Sequence, residues 1–148
     1  MLMSPSDPPH AKAVVMAILS SADRIQRRLG VLFEPHGITS QQFNVLRILR
    51  GAPPEGLCTL AIAQRMIERA PGITRLIDRL EKKGMVRRVR SVDDRRQVWC
   101  RITAAGERLL ARLDDAVEAF DGATVRGISA ADQARLTALL EGVHREPA

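Results

Sequence analysis

Residues 67–84 read IERAPGITRLIDRLEKKG and mix apolar with basic side chains at helical spacing. Four aliphatic residues recur on one helical face and predict a buried stripe: Ile73, Leu76, Ile77 and Leu80. The side chains outside that stripe are Thr74, Arg75, Asp78, Arg79 and Lys82. A short amphipathic helix with this exposed side fits the major groove of B-DNA, which is about 12 Å wide. Ordinary solvated helices also carry basic faces, so this helix alone does not distinguish a DNA-binding surface from a solvated one.

Two residues mark the predicted ends of this helix. Pro71 suits a first helical position, where its missing N–H is not needed. Gly84 suits the left-handed residue that ends a helix.

Positive charge is concentrated around this helix. Between positions 57 and 103 there are 12 Lys and Arg residues and 5 Asp and Glu residues. The whole chain has 23 basic and 17 acidic residues, so the rest is close to neutral. A localised basic region is typical of a protein that binds a polyanion. An anionic membrane surface is an alternative, but the interspersed acidic residues disfavour a membrane-surface helix.

The composition indicates one compact domain, expected in the cytoplasm. The 148 residues are 45% hydrophobic and only 3% aromatic, so aliphatic side chains must form the core. No apolar run approaches the roughly 20 residues that span a bilayer. Residues 1–10 read as a disordered tail and not as a signal peptide. Cys58 and Cys100 match neither a disulfide framework nor a zinc site, so we expect no metal and no cofactor.

Residues 11–33 are predicted to form a long N-terminal helix. Its apolar residues are spaced three and four apart, as in a coiled coil: Val15, Ile18, Ala22, Ile25, Leu29 and Leu32. Such a helix is about 34 Å long, which is more than one small domain needs. We therefore expect it to pack on a second subunit, with packing inside one chain as the alternative.

Two shorter helices lead into the basic helix. Residues 39–42 match a capping box in which Thr39 is the cap and Gln42 reaches back. The helix that follows has an apolar side of Phe43, Val45, Leu46 and Leu49. After the loop at 51–56, Thr59 can cap a short helix. Its apolar stripe is Leu60, Ala63 and Met66. This short helix and the basic helix, joined by a tight connection, predict a helix-turn-helix.

Beyond Gly84 the apolar period changes from helical to alternating. Residues 85–90 are β-compatible and basic, and residues 97–102 alternate between two faces. One face of the second segment carries Val98, Cys100 and Ile102, and the other carries Gln97, Trp99 and Arg101. The two segments predict a β-hairpin with Arg95 and Arg96 near its tip, where Arg can reach phosphates or a narrow minor groove. A basic hairpin beside a helix-turn-helix is a winged helix.

The rest of the chain is predicted to return to helix. Thr103 can cap a long helix, and Ser129 with Asp132 can start another. The last apolar face is formed by Leu136, Leu139, Leu140 and Val143. The predicted fold class is mainly α with a small β-hairpin wing (α+β). The winged helix-turn-helix would span residues 36–106, and residues 11–35 with 107–146 would form a helical dimerisation region.

Three segments together resemble one known family. They are ITSQQFNVL at 38–46, TRLIDRLEKKGMV at 74–86, and DRR at 94–96 followed by RITAAG at 101–106. They are similar to the second helix, the recognition helix with the first wing strand, and the wing signature of the MarR (multiple antibiotic resistance regulator) family of bacterial transcription factors. The turn at 66–70 departs from the family, which often has Gly and a second apolar residue there.

The resemblance implies an obligate homodimer that places two recognition helices in successive major grooves of palindromic double-stranded DNA. It implies that Arg96, with Arg95 beside it, is the wing residue in the minor groove. The groove-facing start of the helix would be Arg69, Pro71, Gly72, Thr74 and Arg75. Base contacts would rest mainly on Arg69 and Arg75, while Arg79 and Lys82 would be phosphate contacts or solvated charges. The predicted dimer contacts are Val15, Ile18, Ile25, Leu29, Leu136, Leu139, Leu140 and Val143.

The predicted function is therefore a MarR-like transcriptional regulator, expected to be a repressor. Because many relatives respond to small phenolic or anionic compounds, we expect an effector pocket near Phe33, His36, Phe43 and Trp99. An alternative is a winged-helix module that binds another protein without sequence-specific DNA binding. An enzyme is disfavoured, because no nucleophile has a base at motif spacing. The three histidines lie in a tail, a loop and a chain end: His10, His36 and His144.

Overall fold

The computed structural model describes residues 8–69 and 71–143. These residues form six α-helices and one two-stranded antiparallel sheet. The first helices are α1 (Pro8–Phe33), α2 (Ser40–Arg50), α3 (Thr59–Arg65) and α4 (Ile73–Lys82). The strands β1 (Val86–Arg90) and β2 (Val98–Ile102) follow, and then α5 (Ala104–Thr124) and α6 (Ala130–Val143). The predicted fold class, mainly α with one β-hairpin, is confirmed.

The chain divides into two compact units, Met1–Arg112 and Leu113–Ala148. The first unit contains α1 to β2 and the start of α5, and the second contains the rest of α5 and α6. The division into a winged helix at 36–106 and helical dimerisation segments on both sides stays a prediction. Of the helices described, none is long and apolar enough to cross a membrane.

The core of the first unit is aliphatic around a single aromatic pair. Phe33, at the end of α1, is fully buried and stacks on Phe43 of α2 with ring centroids 4.5 Å apart. The buried aliphatic residues around this pair come from helices α2 to α5 and from β1: Val45, Leu46, Leu49, Ile62, Leu76, Ile77, Leu80, Val86, Leu109 and Leu110. Three of the four residues predicted as the stripe of α4 are thus buried, and Ile73 is half-buried.

Three predicted helix caps are confirmed. The Thr39 hydroxyl accepts a hydrogen bond from Gln42 N, and Gln42 Oε1 accepts one from Thr39 N, both at 3.1 Å. The Thr103 hydroxyl accepts from Gly106 N at 3.2 Å, and the Ser129 hydroxyl accepts from Asp132 N at 3.2 Å. Such caps satisfy backbone donors that a first helical turn leaves without partners.

Three predicted helix starts are wrong. Helix α1 begins at Pro8, because proline is tolerated in a first helical turn, so residues 8–10 are not part of a tail. The remainder of the predicted tail lies outside the described residues. Helix α3 has Cys58 as its N-cap, without a side-chain cap hydrogen bond, so Thr59 is the first residue of the helix and not its cap. Helix α4 begins at Ile73, because the backbone of Gly72 is not helical (φ −105°, ψ 33°).

The predicted apolar stripe of α3 is wrong at Leu60, whereas Ala63 and Met66 are half-buried. Leu60 is 67% exposed, whereas Ile62 is fully buried and points into the core. Helix α3 has only seven residues, so its apolar positions cover two turns and do not fix which side faces inward.

The hairpin is anchored to the loop that precedes α3. Strand β1 pairs with β2 in a register that places Val86 opposite Ile102 and Arg88 opposite Cys100. On its other side, β2 exchanges two backbone hydrogen bonds between Cys100 and Leu57, of 2.8 and 3.0 Å. This close approach requires glycine at position 56, where a Cβ atom would lie 2.2 Å from the carbonyl oxygen of Cys100.

Candidate nucleic-acid interface

The exposed side of α4 carries a row of cations, which we call the basic row: Arg75, Arg79 and Lys82. These residues are four and three positions apart and therefore lie on one side of the helix. The distance along the axis from the first to the last is about 10 Å at 1.5 Å per residue. All three side chains are exposed, because Leu76, Ile77 and Leu80 bury the opposite side of the helix.

The loop between the strands presents two more exposed cations, Arg95 and Arg96. The Ser91 hydroxyl accepts hydrogen bonds from the amides of Asp93 and Asp94, each at 3.3 Å. Asp94 Oδ1 accepts one from Arg96 N at 3.0 Å. These local bonds shape the turn and leave both guanidinium groups at the tip of the wing.

The start of α4 contributes the other predicted contacts. Arg69 and Pro71 are exposed in the connection from α3, Thr74 is exposed in the first turn, and Gly72 is half-buried as the N-cap. Gln41 Nε2 donates to Glu68 Oε2 at 3.3 Å, which links the connection to α2. The predicted DNA-contacting residues outside the wing thus belong to one exposed helix and the turn before it.

Arg88 does not belong to this exposed surface, although the sequence suggested a uniformly basic strand. Its Nη1 atom lies 2.6 Å from Asp78 Oδ1 and 3.3 Å from Glu81 Oε1. Burial lowers the pKa of the guanidinium, but the hydrogen bond and charge of Asp78, aided by Glu81, outweigh burial and raise the pKa above its ordinary value. The sequence contains both acids at helical spacing but does not show which cation meets them.

The last residue before Gly84, Lys83, ties the end of α4 to the start of α2. Its Nζ atom donates to the carbonyl oxygen of Gly37 and, at 3.4 Å, to Gln42 Oε1. Gly37 has the left-handed φ of +70° that ends the short 3₁₀ turn Glu34–His36. This contact joins residues 46 positions apart, so no local sequence pattern indicates it.

An open crevice of about 970 Å³ lies beside this contact. Its walls come from α1, the 3₁₀ turn, the start of α2 and α4. The charged residues that line it are Glu34, Glu68, Arg79, Lys82 and Lys83. Two members of the basic row therefore also line the crevice.

The four residues predicted to surround an effector are placed differently. Phe33 and Phe43 stack on each other in the core, and His36 is exposed in the 3₁₀ turn. Trp99 is half-buried in β2, opposite Val89 of β1. None of the four lines the crevice, although Phe33 and His36 are neighbours in sequence of residues that do.

The terminal helices expose apolar side chains. In the first unit, α1 exposes Val15 (54%), and three further large apolar residues near it are exposed: Val14, Met16 and Leu19. The other predicted contacts of α1, Ile18, Ile25 and Leu29, are half-buried. In the second unit, α6 exposes Leu139 (64%), Leu136 and Val143, with Leu140 half-buried.

A helix-turn-helix, a two-stranded wing and an exposed basic helix define the class of winged-helix proteins. A family model described as the MarR family matches residues 38–98. A MarR transcription factor from Planctomyces limnophilus is 33% identical in sequence, and its structure covers 95% of this chain and 98% of its own with a TM-score of 0.69. The chain therefore belongs to the MarR family, whose members are transcriptional regulators.

Two further proteins are similar over most of the chain. The homoprotocatechuate degradative operon repressor of Escherichia coli is 25% identical over 129 residues, which cover 87% of this chain and 86% of the repressor. A cysteine-to-serine mutant of MarR from Escherichia coli, solved in complex with operator DNA, is 23% identical. Its TM-score is 0.82, and the match covers 97% of this chain and 100% of that structure.

Proposed function

We propose that this protein is a transcriptional repressor that binds palindromic double-stranded DNA as a homodimer in the cytoplasm. The observation that carries the proposal is the exposed basic row of α4 next to a wing with Arg95 and Arg96 at its tip. The mutant of MarR with the same fold was solved with operator DNA, and the repressor from Escherichia coli supports the direction of regulation.

The positions of the cations indicate which of them contact bases and which contact phosphates. Arg75 lies in the first turns of α4, the part of a recognition helix that meets base edges, and Arg binds guanine bidentately. Arg79 and Lys82 follow toward the end of the helix and contact phosphates, which fix the register on the duplex. Arg96, supported by Arg95, enters the minor groove, where narrow A·T segments attract arginine.

The exposed apolar residues of α1 and α6 support the homodimer. Contiguous apolar patches are rare on soluble monomers and mark protein–protein contacts. Two copies joined through these helices present two basic rows to one duplex, and a two-fold axis matches a palindromic site.

We further propose that an anionic effector releases the DNA by binding in the crevice beside α4. Arg79 and Lys82 line the crevice and also belong to the basic row, so an anion held there competes with phosphates for the same cations. A ligand acts only through different affinities for the DNA-binding and free states. Aromatic carboxylates that raise the melting temperature and lower DNA affinity would support this step; a set of them without effect on either quantity would remove it.

We propose that this protein is a regulator and not an enzyme. His10 and His36 are exposed on α1 and in the 3₁₀ turn, and His144 lies outside the described residues. Across positions 8–69 and 71–143, no three acidic, histidine or cysteine residues cluster in a way that could hold a metal ion.

The decisive experiment measures binding to DNA from upstream of the protein's own coding region by fluorescence anisotropy at several salt concentrations. We expect steep weakening with salt, because bound cations displace counterions from phosphates. Arg75→Ala should weaken binding to this upstream duplex by about 1–3 kcal/mol if Arg75 contacts a base. Arg108→Ala is the matched control, because Arg108 is exposed on α5 outside the basic row and the wing.

The same measurement separates the regulator from a winged-helix module that binds another protein. Such a module would tolerate loss of Arg75 and Arg96, and its weak DNA binding would not depend on sequence. If the wild type binds the upstream duplex and a scrambled duplex with equal affinity, the proposal of a repressor is rejected.

A further inference from the structure

Arg88 joins the first strand of the wing to three turns of α4. Its Nη1 atom contacts Asp78 Oδ1 at 2.6 Å and Glu81 Oε1 at 3.3 Å, and its Nη2 atom donates to the carbonyl oxygen of Thr74 at 3.3 Å. The backbone N–H of Arg88 donates to Glu81 Oε2 at 3.1 Å. One residue of β1 thus holds the first turn, the middle and the last turn of the helix.

The three partners lie on one side of α4. Thr74, Asp78 and Glu81 are four and three positions apart, the same spacing as in the basic row but shifted by one residue. A shift of one residue is a rotation of about 100° around the helix axis. Because Arg88 holds the adjoining side, it fixes which direction the basic row faces relative to the wing.

We propose that Arg88 is a positioning residue that aligns the basic row of α4 with the wing, so that one subunit presents its major-groove and minor-groove contacts in a fixed relation. This inference rests on the proposed DNA binding. The guanidinium group suits the task, because its planar set of donors reaches several acceptors in a fixed geometry. A preformed relation between the two contacts favours the matched site, whose grooves occur at one spacing, over other duplexes.

Two simpler roles make different predictions. If Arg88 contacts a phosphate, its loss weakens binding to every duplex and reduces the salt dependence. If its ion pairs serve stability alone, their loss changes unfolding and leaves discrimination between duplexes intact. Arg88 and Asp78 are 25% and 48% exposed, and pairs with this much water contribute little to stability.

The test compares dissociation constants for a duplex selected by the wild type from a random library and for a scrambled duplex. Discrimination is the dissociation constant for the scrambled duplex divided by that for the selected duplex. We expect Arg88→Met to reduce this ratio about tenfold, the effect of one mismatched base pair. The scrambled duplex should bind with nearly unchanged affinity and salt dependence. Arg87→Met is the matched control, because Arg87 is the preceding residue of β1, is exposed, and faces the other side of the strand.

Asp78→Ala gives the sharper comparison. It removes a negative charge from the helix that meets DNA, so simple electrostatics predicts tighter binding to both duplexes. Positioning predicts instead a lower ratio, similar to that of Arg88→Met. The double variant Arg88→Met with Asp78→Ala should have the same ratio of dissociation constants as Arg88→Met alone, because the two substitutions remove the same contact.

Several results would overturn the proposal. They are an unchanged ratio in Arg88→Met, an equal loss of affinity for both duplexes, or tighter binding of both by Asp78→Ala. If Arg88→Met does not fold, Asp78→Ala and Glu81→Gln decide, since Asp78 is half-buried, Glu81 is exposed, and neither side chain belongs to the core.

A second readout needs no DNA. Amide hydrogen exchange of the free protein should show weaker protection of α4 in Arg88→Met than in Arg87→Met. If the wild type binds neither duplex, the proposed function fails, whereas unchanged exchange in α4 shows separately that Arg88 does not hold the helix.

Discussion

Arg87 and Arg88 are adjacent in β1 and meet different surroundings. Arg87 is exposed, whereas Arg88 turns toward α4 and contacts Asp78 and Glu81. Alternation along a strand is readable from sequence, so opposite orientations for the two residues could be predicted. Which of them meets the acids depends on how the hairpin packs against the helix, and no local pattern contains that information.

Gly56 is a single position where one carbon atom decides stability. Its φ of +93° is left-handed, and an added Cβ would lie 2.2 Å from the carbonyl oxygen of Cys100. We expect Gly56→Ala to lower the free energy of unfolding by about 2–4 kcal/mol, from backbone strain and the clash together. Gly51→Ala is the control in the same loop, because its nearest contact would be an ordinary 3.8 Å, and urea unfolding should show a change within about 0.5 kcal/mol.

The two cysteines should differ in reactivity. Cys100 is fully buried, and burial raises the pKa of its thiol despite the opposing charge of Arg88, whereas Cys58 is half-buried at the start of α3. Iodoacetamide should therefore modify Cys58 in the native protein and Cys100 only after unfolding. Native labelling at Cys100, read by mass spectrometry in Cys58→Ser, would contradict this.

The raised pKa of the Cys100 thiol also determines how this group makes folding stability depend on pH. A thiol that is protonated more readily in the folded chain contributes stability below its unfolded pKa, and that contribution is lost as the pH rises through the folded pKa.

Among the elements, those with several turns or a clear alternation could be predicted from sequence. The apolar spacing of α4 depends on repeated positions, and the burial of Leu76, Ile77 and Leu80 confirms it. The alternating segment at 97–102 predicted a strand, and β2 lies there. The short α3 could not be oriented, and Leu60 was assigned to the wrong side. The start of α4 could not be predicted either, because its N-cap is Gly72, which has no side chain to cap the helix.

Helix α2 depends on a reciprocal cap at its start. The Thr39 hydroxyl accepts a hydrogen bond from Gln42 N, and its loss leaves that amide without a partner. We expect Thr39→Ala to lower the free energy of unfolding by about 1 kcal/mol. Ser40→Ala serves as the control, since Ser40 is the first residue inside the helix and not its cap, and equal losses in the two variants would contradict the role of Thr39.

For the whole molecule, we expect an oligomer, because α1 and α6 expose large apolar side chains. We expect Leu139→Asp to weaken the homodimer about a hundredfold, because an unpaired carboxylate in a buried interface costs about 3 kcal/mol or more. Analytical ultracentrifugation over a range of concentrations measures this change. Leu60→Asp is the control, since Leu60 is equally exposed but lies on α3; a wild type that sediments as a monomer would contradict the proposed assembly.

The position of Trp99 makes the wing optically distinct. The chain has one tryptophan and no tyrosine, so its near-ultraviolet emission comes from β2 alone apart from the weak signal of three phenylalanines. Emission from this single indole would report solvent and partners at the hairpin, without an added dye and without a background from the helices. Docking of the hairpin on DNA could then be timed in a stopped-flow experiment, with the fluorophore already supplied by the chain.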